Sequence, residues 1–314
     1  MQTEDRIYAY SAVLMGSPIL LKLFSDNQSL AAQVFGLIKQ LEDLLTVNRP
    51  HSEVMSINHA AGSHPVSVSE PVFNLIKRAR AVSLLPGSCF NFTIGPLVKR
   101  WKIGFHGDTV PPASELQALL ALTDAHQVIL NEQERSVWLA MAGMEIDLGA
   151  IAKGYIADVI KNFLQQQQVT QALINLGGNV HTLGSGWSIG LKKPFSDPDA
   201  LIGVIEVANK SVVTSGIYER YFEREGRRYH HILDPRTGYP LDNELLSVTI
   251  ISDDSLDGDI YTTLIYGMGV EGGLAYLAGL PHIEAILVTQ AKEVILSSQR
   301  QFSFRLLDDE YHLR

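Results

Sequence analysis

The chain has 314 residues, of which 46% are hydrophobic, and it carries a formal net charge of −9 at pH 7. An acidic chain without a basic stripe argues against nucleic acid as the main partner. The single cysteine, Cys89, excludes an internal disulfide framework and a metal site built from several cysteines, and no apolar run is long enough to span a membrane.

The first half of the chain mixes predicted helices and short strands. Turn residues and helical spacing of apolar positions carry these predictions. They are two strands over residues 11–24 that are broken at Gly16-Ser17-Pro18, a helix over 27–45, a proline-initiated helix over 71–84, a short helix over 97–101, a helix over 114–120, and a hairpin of 128–130 with 137–139.

The second half is richer in predicted strands. They cover residues 172–175, 187–191, 201–207, 211–214, 246–251, 285–289 and 293–296, with a hairpin over 218–229 and a helix over 255–267. Helices and antiparallel strands mix without a regular βαβ alternation. The sequence therefore predicts an α+β fold rather than a doubly wound sheet.

Residues 144–160 carry the strongest sign of a ligand site. Asp147 is followed by the small residues Gly149 and Ala150 and then by Lys153, and an apolar pattern predicts a helix from there. Small residues at a helix start let a ligand approach free backbone N–H groups, and a lysine adds positive charge. The stretch predicts a phosphate-binding turn, although it lacks P-loop spacing and an ordinary helix explains it equally well.

A second candidate is the pair Asp259 and Thr263, four residues apart on one face of a predicted helix. A carboxylate and a hydroxyl can hold a hard cation such as Mg²⁺. On spacing alone, a carboxylate that caps the helix or interacts with its dipole explains Asp259 better.

A third candidate is the loop over residues 229–238, which reads YHHILDPRTG. Histidine carries protons at neutral pH, and an arginine such as Arg236 binds phosphate with two parallel hydrogen bonds. A simple turn explains the Asp-Pro and Thr-Gly pairs but not the adjacent histidines. His230 and His231 would point to opposite faces of a strand, so at most one is expected in a site.

Three glycine-containing segments complete the set. Thr214-Ser215-Gly216 ends a strand, and its hydroxyl and N–H groups predict a contact with a phosphate or with a ring edge, or a turn. The segment 175–179, which reads NLGGN, could lay backbone against a flat ligand or form a turn. The spacing GxGxxG over residues 267–272 follows a predicted helix rather than a strand, so it indicates a glycine break between two helices.

Taken together and in this order, the motifs resemble the ApbE family, the FAD:protein FMN transferases (flavin transferases). The matching segments are Met15-Gly16-Ser17, His51-Ser52-Glu53 through Asn58, residues 91–97 (NFTIGPL), 147–154 (DLGAIAKG), 175–179, 214–216, 231–238 (HILDPRTG) and Asp259 with Thr263. Phe92 departs from the usual proline of the family, and Ile217 replaces a small or acidic residue.

The resemblance implies a T-fold-related architecture in a single domain over residues 1–314, which can divide into two lobes with the active site between them. It implies Mg²⁺-dependent transfer of the FMN moiety of FAD to a Thr or Ser hydroxyl of an acceptor protein, with release of AMP. One Mg²⁺ ion is the minimum and two are compatible with it.

The resemblance also assigns residues. It implies that the metal is held by Ala150 through its carbonyl and by the side chains of Asp259 and Thr263. His231 would be the general base or, alternatively, would orient the phosphate, with Asp259 as the second catalytic residue. The expected FAD contacts are Met15, Asp147, Ala150, Lys153, Thr214, Ser215, His231 and Arg236.

The family's usual lipobox or signal segment is missing, so the expected location is the cytoplasm, with a soluble flavin-carrying reductase as the simplest acceptor. If a leader had been removed, an exported lipoprotein would be expected instead. Two alternatives remain. One is an FAD-binding or FAD-hydrolysing protein in which water replaces the acceptor hydroxyl, and the other is a nucleotide-dependent dehydrogenase that uses the glycine spacing at 267–272.

Overall fold

The computed structural model describes residues 6–314. Seven α-helices lie within this range: α1 (Gln28–Leu45), α2 (Glu53–His59), α3 (Glu70–Ser83), α4 (Gly95–Trp101), α5 (Ala113–Leu120), α6 (Gly149–Gln166) and α7 (Ser255–Ala278). The predicted helices at 27–45, 71–84, 97–101 and 114–120 are confirmed within two residues at each end.

The strands in the same range are β1 (Tyr8–Leu14), β2 (Ser17–Leu23), β3 (Val66–Ser67), β4 (Val128–Asn131), β5 (Ser136–Leu139), β6 (Ala172–Leu176), β7 (Asn179–Leu183), β8 (Trp187–Lys192), β9 (Leu201–Val207), β10 (Ser211–Gly216), β11 (Tyr221–Arg224), β12 (Arg227–His230), β13 (Leu245–Ser252), β14 (Glu284–Thr289), β15 (Glu293–Leu296), β16 (Phe302–Leu306) and β17 (His312–Leu313). Strands β3, β7, β16 and β17 were not predicted from the sequence.

The largest sheet has nine strands in the order β1-β2-β6-β7-β10-β13-β14-β15-β17. Its neighbours pair antiparallel except β15 with β17, which are parallel. Helices therefore combine with mostly antiparallel strands, and the predicted α+β class is confirmed.

The chain divides into two compact units. The first holds the described residues up to Glu42, with Ile151–Gly216 and Glu244–Arg314. It contains the nine-stranded sheet and the three-stranded sheet β16-β9-β8. Helix α7 packs on strands β7, β10, β13 and β14, so the sheet fixes the position of this helix.

The second unit consists of Asp43–Ala150 and Ile217–Asn243. It holds the sheet β3-β5-β4, the hairpin β11–β12 and an aromatic core around Trp101. The Trp101 indole lies 5.8 Å from the Tyr229 ring, and its Nε1 donates a hydrogen bond of 2.8 Å to the carbonyl of Gly238. This buried indole thus holds both ends of the loop at 229–238.

The glycine spacing at 267–272 lies inside helix α7, which is kinked at Gly269. The backbone of Gly269 has φ 75° and ψ −173°, and the Glu244 carboxylate accepts the N–H of Val270 just beyond it at 2.7 Å. The predicted glycine break between helical segments is confirmed. The strand-turn-helix of a dinucleotide fingerprint is not formed here, which removes the basis of the dehydrogenase alternative.

No helix within residues 6–314 is long and apolar enough to cross a membrane.

Candidate active site

Asp259 lies in the first turns of helix α7 and is buried. Its Oδ2 accepts the backbone N–H of Gly154 in helix α6 at 2.6 Å, and its Oδ1 accepts the Asn179 amide at 3.0 Å. Burial raises the pKa of the Asp259 carboxyl to about 7, although the Gly154 N–H, the Asn179 amide and the Lys153 ammonium each lower it. The carboxylate is thus held firmly, but the protein alone does not fully compensate its charge.

The residues around this carboxylate offer oxygen atoms as possible metal ligands. Asn179 gives its amide N–H to Asp259, so its Oδ1 is fixed as an acceptor, and this buried oxygen has no hydrogen-bond partner among the described residues. The Thr263 hydroxyl makes only a 3.5 Å contact to the Asp259 carbonyl. No group of three His, Cys, Asp or Glu side chains suited to a metal occurs in residues 6–314. Any metal here would rely on one carboxylate with hydroxyl, amide and carbonyl oxygens, which suits a hard cation.

Lys153 lies one residue before Gly154 on helix α6. Its Nζ donates to the Ser17 hydroxyl at 3.0 Å, and a Cβ on Gly177 would come within 2.7 Å of the same Nζ. Gly177 has φ 59°, so both space and backbone geometry require glycine at this turn. Lys153, which the sequence predicted as a phosphate contact, therefore lies against the NLGGN turn and strand β2.

Met15 lies in the two-residue loop between strands β1 and β2. Met15 and Gly16 have φ of 53° and 64°, as in a type I′ turn, where asparagine and glycine are the usual residues. A left-handed methionine is strained, and such strain often marks a functional position. The contact of Met15 with FAD stays a prediction. The strained backbone at Met15, two residues before Ser17, is consistent with it.

Thr214 and Ser215 lie in strand β10 and face opposite sides of the sheet. The Thr214 hydroxyl is 2.7 Å from that of Thr249, whereas the Ser215 hydroxyl donates to Thr262 at 3.0 Å. Thr262 in turn donates to the Asp259 carbonyl at 3.0 Å. Of the two predicted flavin contacts, Ser215 is the one connected to the helix turn that carries Asp259.

In the second unit, Asp147 lies just before helix α6. Its Oδ1 accepts the N–H of Gly149 at 2.7 Å. Burial raises the pKa of the Asp147 carboxyl, partly offset by that hydrogen bond and by the positive charge of Arg220. Ala150 is the second residue of helix α6, and its carbonyl is the one that a regular helix would pair with the N–H of Gly154. Because the Gly154 N–H donates to Asp259, it is less available as a donor to the Ala150 carbonyl.

His231 follows the end of strand β12 and is half-buried. Its Nδ1 lies 3.1 Å from the carbonyl of Arg220. A carbonyl can only accept, so Nδ1 carries the proton and Nε2 presents a lone pair. Burial and, to a smaller extent, the Arg220 guanidinium lower the pKa of His231 to about 3. The ring is therefore neutral near pH 7, in the state that a proton acceptor needs.

The neighbouring histidine has a different role. His230 is buried, its Nε2 is 2.7 Å from the Leu241 carbonyl, and its Nδ1 accepts the N–H of Ile232. His230 thus bonds to main-chain groups of nearby residues, and the expectation that at most one of the two histidines acts in a site stays a prediction. Arg236 binds Asp234 through Nε at 3.0 Å and a terminal nitrogen at 3.2 Å, so its guanidinium braces the loop, and its contact with FAD stays a prediction.

The structure thus brings two groups together. In the first unit Lys153, Ser215, Asp259 and Thr263 are linked through Asn179, Gly154 and Thr262; in the second, Asp147 and His231 share Arg220. Sequence reasoning missed the partner role of Asn179 and missed Arg220 altogether. The NLGGN motif was a signal for Asn179, but an exposed arginine in a hairpin gave none.

Comparison with known proteins adds independent information. The sequence matches the model of the ApbE family over residues 15–287. An FAD:protein FMN transferase from Klebsiella pneumoniae (strain 342) is 62% identical over 311 residues, which cover 99% of this chain and 98% of that protein. Another from Treponema pallidum (strain Nichols) is 35% identical over 331 residues and covers 98% of this chain and 91% of its own.

Solved structures are similar too. The flavin transferase ApbE from Vibrio cholerae superposes with a TM-score of 0.81 at 26% identity, covering 96% of this chain and 97% of that one. The crystal structure of the ApbE protein from Thermotoga maritima MSB8 gives a TM-score of 0.80 at 30% identity, covering 91% and 95%.

Proposed function

The chain belongs to the ApbE family, and from this premise we propose that it is an FAD:protein FMN transferase. In the proposed reaction the hydroxyl oxygen of a Thr or Ser on an acceptor protein forms a bond to the FMN-side phosphorus of FAD. The bond from that phosphorus to the bridging oxygen breaks, and AMP leaves with that oxygen. The acceptor then carries FMN through a phosphoester.

The observation that carries this proposal is the buried Asp259 carboxylate, held at 2.6 Å by the Gly154 N–H and at 3.0 Å by Asn179. Its raised pKa and the unpartnered Asn179 Oδ1 both favour a bound cation, which would stabilise the charged carboxylate and satisfy the amide oxygen. Mg²⁺ is the proposed ion, because it prefers oxygen ligands and binds diphosphates.

Asp259 and Thr263 would hold this Mg²⁺ by their side chains, and the Ala150 carbonyl is the proposed backbone ligand. When bound, the ion would neutralise negative charge on the diphosphate of FAD. Lys153 adds a further positive charge, which is fixed by Ser17. The chain would thus bind and orient the diphosphate before any bond changes, and Asp147, Met15, Thr214, Ser215 and Arg236 remain the other proposed FAD contacts.

His231 is the proposed general base. Its neutral ring, with the proton on Nδ1 and the lone pair on Nε2, can accept the proton of the acceptor hydroxyl as the new bond forms. A positioned base of this kind contributes about 10²–10⁴-fold to a rate. A pKa near 3 makes the ring a weak base, so a substrate hydroxyl held by a hydrogen bond to Nε2 is part of the proposal.

The test is incubation with FAD, Mg²⁺ and a candidate acceptor protein, followed by denaturing electrophoresis and nucleotide analysis. Transfer predicts flavin fluorescence that stays on the acceptor and a matching amount of AMP. Mutating the acceptor Thr or Ser to Ala is the matched control. Free FMN and AMP with an unlabelled acceptor would instead establish FAD hydrolysis, and no FMN in either form would refute both.

A further inference from the structure

Helix α7 is capped by a residue from another helix. Asp254 stands at its N-cap position, but its side chain makes no capping hydrogen bond. The Asp158 carboxylate of helix α6 takes its place: Oδ1 accepts the N–H of Ser255 at 2.7 Å and Oδ2 accepts that of Leu256 at 2.9 Å. Two of the free N–H groups of the first turn therefore end on one carboxylate, which also interacts favourably with the helix dipole.

A buried polar cluster fixes the same turn from the sheet side. The Ser255 hydroxyl lies 2.9 Å from Nδ1 of His181 and 2.7 Å from the hydroxyl of Ser211. Asp158, His181 and Ser255 are the residue types of a catalytic triad with a serine nucleophile. However, Ser255 and His181 expose only 0% and 1% of their surface to solvent. A hydroxyl closed off from solvent cannot attack a substrate, so the cluster holds the helix rather than performing chemistry.

The capped turn is the turn that leads to Asp259. Ser255 and Asp259 are four residues apart, so they lie on one face of α7 about 6 Å apart along the axis. On helix α6 the spacing is the same, because Gly154 and Asp158 are also four residues apart. Gly154 binds the Asp259 carboxylate while Asp158 binds the helix start. Two contacts, one turn apart, fix both the rotation and the axial position of α7 against α6.

We propose that Asp158 is a positioning residue for the metal ligand Asp259, which it places through the first turn of helix α7. The inference rests on the proposed metal-binding role of Asp259. Its consequence is that loss of the Asp158 carboxylate weakens cation binding at a site to which Asp158 makes no hydrogen bond, although its negative charge also acts on the Asp259 carboxyl. A residue that only stabilised the fold would lower the melting temperature without changing the cation affinity of the folded protein.

The experiment measures Mn²⁺ binding to the full-length, metal-free protein by electron paramagnetic resonance, since Mn²⁺ takes the same oxygen ligands as Mg²⁺. Asp158→Asn keeps one acceptor oxygen and loses the other. We expect the Kd for Mn²⁺ to rise about tenfold, and saturating Mg²⁺ to restore most of kcat. Asp254→Asn is the matched control, because it removes an exposed carboxylate at the same helix end without removing a cap; its Kd should stay within twofold.

The result that overturns the inference is an Asp158→Asn protein with a lower melting temperature and an unchanged Kd. If this variant does not fold, Asp158→Glu keeps the negative charge and moves the carboxylate by one methylene relative to the N–H groups of Ser255 and Leu256. We expect its Kd to rise about threefold, and an unchanged value would overturn the inference equally.

Asp259→Ala separates the inference from the proposed function. If it leaves Mn²⁺ binding unchanged, the ion binds elsewhere and both the metal assignment and the inference fail. If Asp158→Asn weakens Mn²⁺ binding while no acceptor is ever labelled, the positioning role stands and the transferase activity alone is refuted.

Discussion

Gly154→Ala places one methyl group where helices α6 and α7 touch. A Cβ at this position would lie 2.7 Å from the carbonyl carbon of Ser255, and closer still to the Ser255 oxygen and to Oδ2 of Asp259. Real Cβ atoms do not approach neighbours this closely, and two of the three atoms belong to backbone. The two helices must therefore separate, which lengthens the 2.6 Å hydrogen bond from Gly154 to Asp259.

Overpacking of this kind costs about 1–3 kcal/mol, whereas alanine in a helix is favoured over glycine by about 1 kcal/mol. We therefore expect Gly154→Ala to lower the free energy of unfolding by about 1 kcal/mol on balance and to weaken Mn²⁺ binding. Gly36→Ala is the matched control, because Gly36 lies in helix α1 with nothing within 4 Å of an added Cβ. This variant should gain up to about 1 kcal/mol.

Urea denaturation of both variants and of the unchanged protein, with Mn²⁺ binding measured alongside, provides the comparison. The reasoning is refuted if Gly154→Ala is as stable as Gly36→Ala and keeps the original Mn²⁺ affinity. A loss of metal binding without a loss of stability would show that the helices separate at little cost, so the cost assigned to the contact would be wrong.

Three further predictions concern the reaction. Asp259→Ala should abolish Mg²⁺-dependent turnover while its circular dichroism spectrum stays unchanged; undiminished turnover would remove the metal assignment. His231→Ala should lower the transfer rate by about 10²–10⁴-fold and change the Kd for FAD by less than about tenfold, and an equal loss in both would make His231 a binding residue. Because burial and Arg220 lower the pKa of His231 to about 3, protonation that would block the base occurs only well below pH 5. The transfer rate measured between pH 5 and 8 should therefore show no acid limb at pH 6.5, and a limb there would contradict the assigned environment.

The elements with strong local signals could be predicted from the sequence. Helix α1 has a regular apolar stripe, and the hairpin β11–β12 has Glu225-Gly226 at its turn, where both residues adopt positive φ. Strand β7 could not be predicted in this way. It reads NVHTL and is buried throughout, because Thr182 and His181 satisfy their polar groups with partners from distant segments.

The same physical limit applies to the candidate site. Asp259 and Lys153 were identified from residue type and spacing, together with the family resemblance. Asp259 contacts Gly154 and Asn179, which are 105 and 80 residues away along the chain. Such pairs depend on strand order and on helix packing, and neither is encoded in a local pattern. Arg220 was missed for another reason. Its hydrogen bond with His231 uses a backbone carbonyl that every residue type possesses, and the charge of its guanidinium acts on His231 and Asp147 only because the fold brings them near.

The tight turn at Met15-Gly16 has a consequence for how the chain can vary. Strands β1 and β2 pair in register from Tyr8 with Leu23 to Leu14 with Ser17, and only two residues connect them. Side chains alternate between the faces of a strand, so one extra residue in this turn would change the pairing or reverse the face on which Ser17 lies. Ser17 would then turn away from Lys153, so insertions here should be far less tolerated than at an ordinary surface loop.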